Sequence, residues 1–101
     1  MARLDVHSMP SKAAAGFVLD VQADLLSHLA TRAVVPLLPE EVAPKPIGEL
    51  NPVFEIRGQR LVMLTQAIAA IPGRELKGIV ASLANEHDRV TRALDILLVG
   101  F

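Results

Sequence analysis

Only the closing stretch of this chain, Leu83 to Phe101 (LANEHDRVTRALDILLVGF), sustains a helical repeat of apolar residues over several turns, so everything before it must supply the surface on which that helix lies. With Val90 as origin and about 100° per residue, Leu94, Leu97, Leu98 and Phe101 fall within about 80° of it, a stripe that faces a core. Ser82 or Asn85 is placed to cap the start. Upstream, five of the seven prolines (Pro36, Pro39, Pro44, Pro46 and Pro52) crowd together and disfavour helix from Pro36 to Asn51, leaving an extended connection with room for a small strand.

The remaining segments read as strands and turns. Arg3 to His7 alternates apolar and polar residues, as a half-buried strand does. Gly16 to Gln22 (GFVLDVQ) is apolar on both faces in its first half, which suits a central strand. Thr31 to Leu38 (TRAVVPLL) is a third, with Pro36 removing a ladder donor and placing a bulge or an edge near its end. Val53 to Arg57 and Arg60 to Thr65 flank Gly58-Gln59, a hairpin whose glycine suits a type II′ turn, with Ile56 opposite Leu61 and Phe54 opposite Met63. A last strand spans Lys77 to Ala81. Ser8 to Ala15 and Pro72-Gly73 are turns, Ala23 to Ala30 (ADLLSHLA) is a loop or single turn, and Gln66 to Ala70 is ambiguous. Strands first and one helix last describe a small α+β barrel or curled sheet capped by that helix, a single domain over residues 1–101.

The helix carries a second signal on its other side. Asp88, Arg92 and Asp95 run down the face opposite the stripe, and the next residue in that line is Val99. Ile96 adds hydrocarbon from the side, so Ile96, Leu97, Leu98, Val99 and Phe101 surround the helix end in more directions than one sheet can cover. A patch of this kind is expected to dock onto another protein. Gly100 sits where a left-handed residue closes a helix, with Phe101 able to fold back on the last turn, while Asp95 lies at the negative end of the macrodipole with no cation after Arg92. Leu25 and Leu26, adjacent on a loop, cannot both face one core, so at least one is expected at the surface or in an interface.

Chemistry is hard to find in the rest. A net charge of −1 argues against direct nucleic-acid binding, and the lack of tryptophan and tyrosine removes the stacking platforms of single-strand binders. Without cysteine there is no disulfide, thiolate or cysteine-bound zinc. His7, His28 and His87 have no ligand spacing and read as surface or loop residues, so no metal, cofactor or catalytic residue is expected. Glu40-Glu41 reads as solvated; Asp20 is either solvated or a buried acceptor for Arg32 or Arg60. The start MARLDVHSMP lacks the apolar region of a secretion signal, and no apolar run is long enough to span a bilayer, so a soluble cytoplasmic protein without membrane contact is expected.

DVQADLL (Asp20 to Leu26), VVPLL (Val34 to Leu38), ELNPVFEI (Glu49 to Ile56), MLT (Met63 to Thr65) and a helix closing on a hydrophobic residue, Gly100 and one last hydrophobic residue resemble, in order and spacing, the CcdB family of toxins. The likeness runs over nearly the whole chain from Gly16 onward. It implies an SH3-like barrel of the CcdB/MazF/Kid type, with about five antiparallel strands and a C-terminal α-helix, forming a homodimer. It implies a toxin that binds the A subunit of DNA gyrase and traps the cleaved DNA complex, and so no enzyme. A CcdA-like antitoxin would neutralise it, and the pair would repress its own operon through DNA contacts supplied by the antitoxin. The family's gyrase-binding residues map onto Leu25, Leu26, Asp95, Leu98, Val99, Gly100 and Phe101. Where the family's gyrase poison has tryptophan and isoleucine, this chain has Val99 and Phe101. Two alternatives stand beside this reading: a non-poisoning relative that only binds antitoxin, and a MazF/Kid-type ribonuclease, for which the chain offers little basic clustering.

Overall fold

The computed structural model describes residues 2–8 and 16–101, so the turn expected over Ser8 to Ala15 lies, apart from Ser8, outside the described residues. Seven strands, β1 (Asp5–Ser8), β2 (Phe17–Asp20), β3 (Thr31–Pro39), β4 (Val53–Ile56), β5 (Gln59–Met63), β6 (Ala69–Pro72) and β7 (Ile79–Ser82), form one curled antiparallel sheet, and α1 (His87–Leu98) closes it. The path runs β4-β5-β3-β2-β1-β7, with β6 attached to β3. The α+β expectation holds, though with seven strands where about five were expected.

Alternation along the strands builds the core. Val6, Leu19, Val35, Leu37, Phe54, Ile56, Leu61 and Met63 point to one side, where Leu83, Val90 and Ala93 meet them from the helical end. Val18, Val34 and Val62, which alternation turns to the opposite face, are buried too. β2 lies between β1 and β3, the central position its two apolar faces predict.

Four expectations are corrected. The first strand begins at Asp5 because Leu4 has φ 71°, a left-handed conformation that breaks the strand while its amide donates to the Asp20 carbonyl and its own carbonyl accepts from Leu83. β3 is interior: β2 runs along one edge, and the other is shared by β6 (Thr31 to Val34) and β5 (Leu37 to Pro39). Pro36 sits at that changeover. Its carbonyl accepts from the Leu64 amide at 2.9 Å, and because N–H and C=O of an extended residue share a side, its missing donor faces the seam between β5 and β6.

The hairpin pairs Ile56 with Gln59 and Phe54 with Leu61, two residues along β5 from the predicted partners, because its turn is Arg57-Gly58, one residue earlier than expected. Both turn residues have positive φ (54° and 76°), the type I′ signature, which places glycine at the second central position and not at the first, as a type II′ turn would. Lastly, α1 starts at His87 with no side-chain cap; Ser82 Oγ accepts instead from the Ala84 amide, at the head of a 3-10 turn, Ala84–Glu86.

Candidate protein-docking site

The end of α1 is built by local hydrogen bonding. Gly100, at φ +95°, donates to the carbonyls of Asp95 (3.0 Å) and Ile96 (3.1 Å), and Val99 donates to Asp95 (2.8 Å), a left-handed closure of the expected kind. Closure at this point decides what is exposed. Phase alone puts Leu98 and Phe101 on the stripe, but the crowding of the helix end offers them outward, and they are 71% and 87% exposed: the helix ends at Leu98 and Phe101 does not fold back. Val99 is 61% exposed, on the face predicted to turn apolar. Ile96 and Leu97 are half-buried, so the bare tip is smaller than expected and consists of Leu98, Val99 and Phe101, with Asp95 and Gly100 exposed beside them.

The second group lies between β2 and β3. A 3-10 turn, Asp24–Leu26, leaves Leu25 86% and Leu26 42% exposed and buries none of its own residues. Leu29, on the same loop, is also exposed; sequence reasoning passed over it although its spacing from Leu25 and Leu26 marks the same apolar run. Within one chain the helix packs chiefly on the turns Gly48–Leu50 and Thr65–Ala67, and makes no extended contact with the leucine turn. The two exposed groups thus stand on different elements of a protomer.

Beneath the leucine turn lies a buried ion pair. Arg32 Nε (3.0 Å) and Nη2 (2.6 Å) both donate to Asp20 Oδ2, and Asp20 Oδ1 accepts from the Gln22 amide at 3.1 Å. Both side chains are fully buried, which overturns the solvated reading of Asp20 and selects Arg32 over Arg60 as partner. Arg60 pairs at the surface with Glu40 (3.0 and 3.1 Å), so Glu40 is not simply solvated. That hydrogen bonding holds the Glu40 carboxyl below its ordinary value and raises Arg60. His7 also departs from expectation: it is buried, with Nδ1 2.7 Å from the Lys77 carbonyl. His28 and His87 are exposed as predicted.

A cleft of about 380 Å³ lies between the proline-rich segment and α1, walled by Pro46, Pro52 and Val53. Its cations are engaged with the chain itself: Arg92 Nε with Glu49 at 2.5 Å, and Arg89 with the Val53 carbonyl at 3.0 Å while lying 4.6 Å over the Phe54 ring. They fasten the helix to the turn Gly48–Leu50 and to β4. Among the described residues no group of acids and histidines is placed to hold a metal, and no helix is long and apolar enough to cross a membrane.

A search of curated proteins returns no match. Among solved structures, the Mycobacterium tuberculosis toxin MazF-mt6 superimposes with a TM-score of 0.71 at 18% identity, over 90% of this chain and 92% of that one, a likeness of fold that places the curled sheet and helix in the SH3-like type. The family model described as CcdB protein matches residues 3–100, nearly the entire length. The chain therefore belongs to the CcdB family.

Proposed function

We propose that this chain is the toxin of a type II toxin–antitoxin pair, acting in the cytoplasm as a homodimer that binds the A subunit of DNA gyrase and traps the cleaved DNA complex. The observation that carries this reading is the bare hydrocarbon of Leu98, Val99 and Phe101 at the helix tip, with Leu25 and Leu26 as a second exposed group. Isolated exposed apolar residues are commonplace, but three within four positions at the end of a helix form a patch suited to a protein partner. Dimerisation supplies the second copy of each surface, which a two-fold-symmetric partner requires. A CcdA-like antitoxin masks the toxin and provides the DNA contacts for autorepression, in keeping with a net charge of −1 that would make DNA binding by the toxin alone weak.

A titration of purified chain against gyrase tests this: supercoiling should fall and linear DNA accumulate once denaturant releases the trapped complex. Undiminished supercoiling at saturating toxin, with no association with the A subunit, would overturn it. One residue favours a second reading. Val99 replaces the tryptophan of the family's gyrase poison, and valine offers far less area to an interface, which suits a relative that binds antitoxin without poisoning. Antitoxin binding with unaffected gyrase would select that reading, and degradation of single-stranded RNA would select a ribonuclease over both.

A further inference from the structure

The leucine turn raises a physical question: nine residues from Gln22 to Ala30 hold three exposed leucines in place, yet none of the nine is buried. A segment with no apolar anchor loses conformational entropy on ordering and must be fixed by polar contacts. Three of those contacts meet at one residue, Gln22. Gln22 Oε1 accepts from the Ala33 amide of β3 at 3.0 Å, and Gln22 Nε2 donates to the Leu26 carbonyl at 2.9 Å. A required acceptor on one side and a required donor on the other fix the orientation of the amide. Its backbone amide is held in turn by Asp20 Oδ1, the acid clamped by Arg32. Asp24 adds a second tie, accepting from the Arg3 amide at 2.8 Å, and the Ala30 carbonyl accepts from the Gly73 amide at 2.8 Å at the far end of the segment.

We propose that Gln22 is the positioning residue of the docking loop: it straps the Leu26 carbonyl to the end of β3 and so presents Leu25 and Leu26 to the partner already ordered. This rests on the functional reading above. Holding the turn before encounter removes an ordering cost that binding would otherwise bear, so Gln22 contributes to affinity without touching the partner. Carboxamide chemistry is necessary here, since glutamate keeps the acceptor for Ala33 but loses the donor to Leu26 and sets a carboxylate against its carbonyl.

The test uses the full chain with Gln22→Glu and Gln22→Met, read by native-state amide exchange and by titration with the gyrase A subunit. In Gln22→Glu, amides from Leu26 to Leu29 should exchange at least tenfold faster while those of β2 and β3 stay within about twofold, and affinity should fall about 5- to 30-fold. In a Leu25→Ala/Leu26→Ala background the same change should cost nothing further. Ala23→Pro should recover much of the lost affinity, because Ala23 already has φ −59°, the value proline imposes. Unchanged exchange in the turn, an equal affinity loss in the leucine-free background, or loss of cooperative unfolding in both Gln22 variants would overturn the proposal. Exchange reads the strap without any partner, so a parent chain that ignores gyrase would sink the functional reading and leave the strap to be judged by exchange alone.

Discussion

A carboxylate and a guanidinium taken out of water together are tolerated only while each answers the other, and Asp20 with Arg32 is such a pair. Asp20→Asn or Arg32→Met should each cost about 3 to 5 kcal/mol in urea unfolding, whereas joint replacement by apolar residues of similar volume should cost much less. Equal, additive losses would show that packing and not charge pairing holds the site. At the surface, Arg60 lowers the Glu40 carboxyl below its ordinary 4.5, so the pair's contribution is present above that value and is lost as pH falls through the lowered one. Both groups are exposed, so the gap in melting temperature between the parent and Glu40→Gln should be small at neutral pH and close on acidification. At the tip, Val99→Trp should tighten gyrase binding by about 1 to 3 kcal/mol, the scale of an aromatic anchor added to an exposed contact. An unchanged titration would remove Val99 from the interface.

Among the elements, the hairpin between β4 and β5 rests on Arg57, a long side chain held at φ 54° where asparagine is far better suited. Arg57→Asn should raise stability by about 0.5 to 1 kcal/mol, seen as a higher melting temperature with an unchanged urea slope. The same hairpin shows how far the sequence could be read. Phe54, Ile56, Leu61 and Met63 share one face in either register, so the pattern identified the core but could not place the turn within one residue. β6 spans the end of the ambiguous stretch Gln66 to Ala70 and the start of the expected turn at Pro72, because Ala69-Ala70 has no periodicity of its own; it is a strand by virtue of pairing with Thr31 to Val34. Val99 was legible as exposed from helical phase alone, while Leu98 and Phe101, whose phase is that of the core stripe, were legible only from the crowding of hydrocarbon around the helix end.

For the molecule as a whole, stability and the proposed docking role reside in different places. The core runs from Val6 and Leu19 through Leu37 and Met63 to Val90 and Ala93, and none of its members belongs to the exposed tip or the leucine turn. A surface that contributes little to folding can be removed with little loss of fold. Deleting Val99 to Phe101 discards no buried side chain; it forfeits the closing hydrogen bonds of α1, a loss of about 1 kcal/mol. The truncated chain should therefore melt cooperatively within a few degrees of the parent and keep its strand amides protected, yet lose both growth inhibition on induction and association with the gyrase A subunit. Because the leucine turn makes no extended contact with α1 in one protomer, truncation should leave the exchange of the leucine turn as it was. Growth inhibition that survived the deletion in a folded protein would move the docking surface away from the helix end.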